Sequence, residues 1–148
     1  MKTTTKFKAI LFALAFTDSN SKISGPFHSG CATTVTDVNF DGMDDLFRLD
    51  QGNALYLDLQ NRDGSFTTHF IVNHGGGSSW AMTCADVDQN GWKDVAFDGG
   101  SGIQVIKIFG GGGSITYTSM TLANSGFFLQ NATFADMNND GWIDLFCC

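Results

Sequence analysis

One pattern occurs three times in the 148 residues: Asp37-Val-Asn39-Phe-Asp41-Gly42-Met43-Asp44-Asp45, Asp86-Val-Asp88-Gln-Asn90-Gly91-Trp92-Lys93-Asp94, and Asp136-Met-Asn138-Asn-Asp140-Gly141-Trp142-Ile143-Asp144. Each window fits D-x-[DN]-x-[DN]-G-x-x-D and is followed by an apolar residue, Leu46, Val95 or Leu145. The starts lie 49 and then 50 residues apart, the mark of an internal structural repeat. All fifteen acidic residues are aspartate, and ten fall in these windows. Glutamate is the better helix former and aspartate favours turns, so the acids serve loops rather than helix surfaces.

Side-chain oxygens at positions 1, 3 and 5 converge as such a backbone curls. Glycine at position 6 permits the sharp turn, position 7 offers its carbonyl, and the aspartate at position 9 closes the cage. Hard oxygen donors in this number suit Ca²⁺ better than Mg²⁺, which keeps more of its water. At positions 1, 3, 5 and 9 each loop holds three carboxylates and one asparagine. The net charge of -7 therefore reads largely as a record of bound ions, about three per chain. Solvated Asp/Asn-Gly turns without an ion are the competing reading, and the regular spacing counts against it. An EF-hand needs a bidentate glutamate at position 12, where Arg48, Phe97 and Cys147 stand. The same position argues against dockerin-type and thrombospondin-type calcium repeats. The flanks Leu46-Phe-Arg-Leu and Val95-Ala-Phe are not amphipathic helices, so these are loops between strands.

The three windows resemble the FG-GAP/VCBS repeats of integrin α-subunit propellers and many secreted bacterial proteins. Asn61-Arg-Asp-Gly64-Ser65-Phe66 is similar to that family's second turn, and Gly110-Gly-Gly-Gly113-Ser114-Ile115 is its looser counterpart one repeat later. The resemblance implies an all-β fold of three propeller-blade-like repeats within one domain spanning 1–148. It implies calcium at Asp37, Asn39, Asp41 and Asp45, at Asp86, Asp88, Asn90 and Asp94, and at Asp136, Asn138, Asp140 and Asp144. The seventh-position carbonyls would come from Met43, Trp92 and Trp142. The family serves adhesion, lectin and enzyme-accessory roles alike, so it implies no single activity.

The runs Ala54–Leu59, Phe66–Val72, Ile103–Phe109 and Ile115–Met120 are β-rich and bounded by turn residues. Alternation places Val35, Cys84 and Phe134, two residues before each loop, on the inner face. A closed propeller usually has four to eight blades, against three repeats here. There are 40 residues between Asp45 and Asp86, and 41 between Asp94 and Asp136. The 36 before Asp37 and four after Asp144 together make 40. The head and tail together thus equal one inter-loop segment, and N-terminal strands are expected to complete the third unit. They would do so within the chain or on a neighbouring subunit, giving a ring or a fibre. A fragment of a larger propeller would give the same count. Residues 1–16, basic at Lys2, Lys6 and Lys8 and apolar from Ala9 to Phe16, read equally as a secretory signal or as a strand. Either way an extracellular or cell-surface protein is expected, because millimolar external calcium suits such loops. The apolar run is too short to span a bilayer.

The four cysteines lack zinc-site spacing. Cys84 is expected as a buried free thiol, whereas Cys31 is a candidate to pair with Cys147 or Cys148. His28, His69 and His74 lack a nucleophile motif such as GxSxG, and the glycine run lacks the Lys-Ser/Thr of a phosphate loop, so no enzyme is expected. An acidic chain offers no basic face for nucleic acid. Trp92 and Trp142 share one repeat position, with packing between units as one reading and glycan stacking as the other. Asn131-Ala-Thr133 is an N-glycosylation sequon. The functional expectation is a calcium-stabilised structural or adhesion protein that self-associates through complementary ends. A carbohydrate-binding module is the alternative, with glycans or cell-surface proteins as further partners.

Overall fold

The computed structural model describes residues 20–25, 28, 32–75, 79–100, 102–111, 113–127 and 129–148. The strands are β1 (Thr33–Thr36), β2 (Asp45–Asp50), β3 (Ala54–Gln60), β4 (Phe66–Asn73), β5 (Met82–Ala85), β6 (Asp94–Asp98), β7 (Ile103–Gly111), β8 (Ser114–Thr121), β9 (Ala132–Ala135) and β10 (Asp144–Cys147). They form antiparallel sheets in the orders β1-β2-β3-β4, β5-β6-β7-β8 and β9-β10. Among the described residues the only helical element is a 3-10 turn at Asn20–Lys22, so the class is all-β. Each aspartate loop joins the first two strands of a sheet. The four β-rich runs become β3, β4, β7 and β8. Gly110 and Gly111 extend β7, so the turn into β8 is shorter than the glycine run suggests.

Alternation in these strands builds two layers of core. Phe47, Leu49, Leu55 and Leu57 from one face of the first sheet meet Val95, Phe97, Ile106 and Ile108 from the second. The opposite face of the second sheet offers Ala96, Ile103 and Val105 to Leu129, Phe134, Leu145 and Cys147. Strand β6 therefore lies between two neighbours, and Val95, Ala96 and Phe97 are all buried. The first strands line up across the sheets: Thr34 Oγ1 lies 3.5 Å from Cys84 Sγ, and the Phe134 N–H donates to Thr83 Oγ1 at 3.3 Å.

The inward expectation holds for Cys84 and Phe134, which pack on the preceding sheet. It fails for Val35, which is 63% exposed. No sheet among the described residues stacks on that side of β1, so the same repeat position faces solvent there.

The outer face of the first sheet is polar where the second is apolar, and Ser24 and His28 lie against it. Arg48 Nε donates to Asp58 Oδ2 at 2.7 Å, with both side chains buried. Arg48 Nη2 reaches the Ser24 carbonyl at 3.2 Å. Thr68 Oγ1 donates to Asp58 Oδ1 at 2.6 Å and accepts from Ser24 Oγ at 3.0 Å. The His28 N–H and Nδ1 both bond Asp50 Oδ1, at 3.0 and 2.7 Å. This part of the head covers the first sheet rather than completing the third. Residues 1–19, including the segment expected as a signal or strand, lie outside the described residues, as does Cys31. Cys84, Cys147 and Cys148 carry free thiols. The sequon residue Asn131 is exposed beside β9.

Candidate metal centre

The three loops repeat one hydrogen-bond scheme. Both oxygens of the position-1 aspartate accept backbone N–H groups from positions 5 and 6. Asp37 holds Asp41 and Gly42 at 3.0 and 2.9 Å, Asp86 holds Asn90 and Gly91 at 3.0 Å each, and Asp136 holds Asp140 and Gly141 at 3.1 and 2.9 Å. The position-5 side chain accepts from the N–H of position 7: Asp41 from Met43, Asn90 from Trp92, and Asp140 from Trp142. Gly42, Gly91 and Gly141 have φ of 86°, 84° and 88°, where a side chain is strained although a Cβ would meet nothing. Position 4 is also left-handed, at Phe40, Gln89 and Asn139. That conformation is not signalled by Phe40 or Gln89 as residue types.

The position-9 aspartate has a second task that the sequence did not disclose. Asp45 Oδ2 accepts from Val38 N–H at 2.9 Å and Oδ1 from Gln60 N–H at 2.8 Å. Asp94 likewise accepts from Val87 at 3.0 Å and from Ile108 at 2.9 Å. Each carboxylate thus ties its loop to the third strand of its own sheet. Asp144 keeps the loop bond, from Met137 N–H at 3.0 Å.

The second loop brings three acids together. Oxygens of Asp86, Asp88 and Asp94 all lie within 4.8 Å of one another. Asp88 Oδ1 is buried without a hydrogen-bond partner, while Asp88 Oδ2 stands 3.5 Å from Lys107 Nζ. Burial pushes the Asp94 carboxyl up to about 6, with the charges of Asp88 and Asp86 adding to it against the hydrogen bonds from Ile108 and Val87. Asp45 is raised in the same way, by burial first and then by Asp41 and Asp37. An orphaned oxygen within an all-oxygen donor set fits a hard divalent cation, whose charge would relieve this repulsion. In the first and third loops asparagine takes position 3. Asn39 Nδ2 donates to Asp41 Oδ2 at 3.0 Å, and Asn138 Nδ2 to Asp140 Oδ2 at 2.9 Å.

The other singled-out residues fall apart in space. His28 is engaged with Asp50. The His74 ring meets Phe97 edge-on at 5.6 Å, and burial lowers its pKa. His69 lines a cleft between the first two sheets. Trp92 lies hard against the Gly110 backbone, where a Cβ would come within 1.9 Å of the ring. Trp142, its repeat equivalent, is 61% exposed.

Among curated proteins no sequence relative matches the chain. A family model described as FG-GAP-like repeat matches residues 15–97, more than half of the chain and inclusive of the first two loops. The third loop carries the same pattern and the same within-loop hydrogen bonds beyond that match. The chain belongs to the FG-GAP-like repeat family.

Proposed function

We propose that this protein is an extracellular, calcium-stabilised β-repeat module that acts through structure and adhesion rather than catalysis. The observation that carries the reading is the loop geometry itself. Three loops share one scaffold of hydrogen bonds, each carries three carboxylates among positions 1, 3, 5 and 9, and the middle one gathers Asp86, Asp88 and Asp94 and leaves Asp88 Oδ1 buried and unpartnered. Each ion would take a loop from -3 to -1, and about three ions per chain would offset most of the net charge of -7. The ligands would be the oxygens at positions 1, 3, 5 and 9 with the carbonyls of Met43, Trp92 and Trp142. Millimolar external calcium suits loops of this kind, which supports the extracellular setting. Among the described residues no helix is long and apolar enough to cross a membrane. Calcium titration followed by calorimetry tests the reading, and an unchanged unfolding transition would refute it.

Self-association is the second reading, favoured by apolar exposure on the third unit. Trp142 and Ile143 are exposed, and Phe146 is 52% exposed. Because Ser24 and His28 already occupy the outer face of the first sheet, the third unit is the surface that would join copies, pairwise or in a ring or fibre. Sedimentation velocity across a concentration series tests it, and a monomer at the highest concentration would end it.

A further inference from the structure

We propose that Lys107 is a built-in substitute cation for the second aspartate loop: it holds the loop together when calcium is scarce and, by the same charge, lowers that loop's affinity for calcium. The inference rests on the calcium reading of the loops and concerns how one of them is tuned.

Comparison of the three loops carries it. In the first and third, asparagine stands at position 3 and aspartate at position 5. There the amide donates to the carboxylate within the loop, Asn39 to Asp41 and Asn138 to Asp140. In the second loop the two types are exchanged, with Asp88 at position 3 and Asn90 at position 5. Asn90 Nδ2 donates instead to the Ile108 carbonyl at 2.9 Å, so among the described residues Asp88 has no donor inside its own loop. Its partner comes from β7, where Lys107 Nζ lies 3.5 Å from Asp88 Oδ2. Gln60 and Ile108 are equivalent, since each gives its N–H to the position-9 aspartate of its own sheet. Lys107 is therefore matched in the first sheet by Leu59, which packs on the core. A lysine at this place belongs to the second loop and not to the first.

The sign of the effect follows from charge. At 3.5 Å the pair is longer than a directed charge-assisted bond of about 2.7–2.9 Å, so Lys107 acts as a point charge rather than by orienting Asp88. The two side chains are 33% and 20% exposed, so water screens them only in part. A positive charge here offsets the repulsion among Asp86, Asp88 and Asp94, whose oxygens lie within 4.8 Å of one another. The same charge repels a divalent ion taken up by those three acids. The Asp88 oxygens divide the two roles, Oδ2 facing the ammonium while Oδ1 is buried and unpartnered.

The test follows calcium additions to the full chain, at fixed pH and ionic strength, through the amide cross-peaks of Gly42, Gly91 and Gly141 in two-dimensional NMR. Each of these amides is bonded to the position-1 aspartate of its own loop, so each reports one loop. Lys107→Met removes the charge and keeps an apolar stem. It is expected to lower the melting temperature in chelator. It should also bring the Gly91 midpoint to a calcium concentration at least about threefold lower, with Gly42 and Gly141 moving by less than about 1.5-fold. Lys107→Arg, which keeps the charge, should match the parent in both readings. In an Asp88→Asn background the loss in chelator should shrink by at least about half. If Lys107→Met alone does not fold in chelator, the double variant should. A Gly91 midpoint unchanged or raised in Lys107→Met overturns the proposal, as does a loss in chelator that Asp88→Asn leaves intact. Equal shifts at all three glycines overturn it as well. Failure of the calcium reading would show instead in the parent, as glycine cross-peaks and a melting temperature indifferent to calcium, so the two failures are distinguishable.

Discussion

Arg48 and Asp58 form a buried ion pair at 2.7 Å on the outer face of the first sheet. The equivalent places in the second sheet hold Phe97 and Ile106, both buried in the core against the first sheet. One repeat face thus exists in two chemical versions. The apolar version is covered by another sheet, and the ionic version by the Ser24 segment. The guanidinium also lies 4.3 Å from the centre of the Tyr56 ring.

Removing one partner of this pair strands a charge in the interior. Asp58→Ala is expected to cost about 3–5 kcal/mol, as for other broken buried pairs. The double variant Arg48→Phe with Asp58→Ile, which copies the second sheet, should recover most of that loss. Urea denaturation of the three proteins checks this. A double variant no more stable than Asp58→Ala would show that the ionic face is required as such.

Calcium should raise the melting temperature. At free calcium a hundredfold above a site's dissociation constant, one ion contributes about 2.7 kcal/mol, on the order of 5–10 °C for a chain of this size. Asp88→Ala should forfeit the share belonging to the second loop while leaving those of the first and third. Scanning calorimetry with calcium and with a chelator provides the comparison.

The repeat-equivalent tryptophans should respond unequally to truncation. Trp92→Ala empties the seat on Gly110 and is expected to cost about 3 kcal/mol. Trp142→Ala removes an exposed ring and should stay within about 0.5 kcal/mol. Gly110→Ala drives a methyl into the Trp92 ring and should cost about 1–3 kcal/mol through overpacking. Equal losses at the two tryptophans would contradict the packing described.

Low pH should loosen the covering of the first sheet. Burial tends to raise the Asp50 pKa, but the hydrogen bonds from Gln51 and His28 and the charge of His28 outweigh it and hold the carboxyl below its usual range. A carboxyl lowered by folding stabilises the protein fully above its unfolded pKa of 3.8, and that contribution fades as pH falls through the lower folded value. The difference between the parent and Asp50→Asn should therefore be constant above about pH 5 and vanish in stronger acid. It should remain below about 1 kcal/mol, since the His28 partner is half exposed. Denaturant midpoints measured from pH 2 to 6 test the sign.

Features built within a few residues were legible in the sequence. The Asp37, Asp86 and Asp136 loops close on N–H groups four and five residues ahead, and Gly42, Gly91 and Gly141 mark the left-handed turn. Alternation located β3, β4, β7 and β8. The second role of Asp45 and Asp94 was hidden, because the N–H groups of Gln60 and Ile108 lie 15 and 14 residues away. The cleft between the first two sheets was hidden for the same reason: Gln60 and Arg62 face Trp92 and Ile115 only after two repeats stack.

The repeat, the loop chemistry and the strand-forming segments are local properties of the chain, since short-range hydrogen bonding and side-chain alternation depend on neighbours along it. Tertiary structure decided which copy of each repeated position is covered. Val35 faces solvent while Cys84 and Phe134 are packed, Trp142 is open while Trp92 is seated, and Arg48 with Asp58 are buried beneath Ser24. Burial depends on what lies across a sheet face, and three nearly identical repeats meet three different neighbours there.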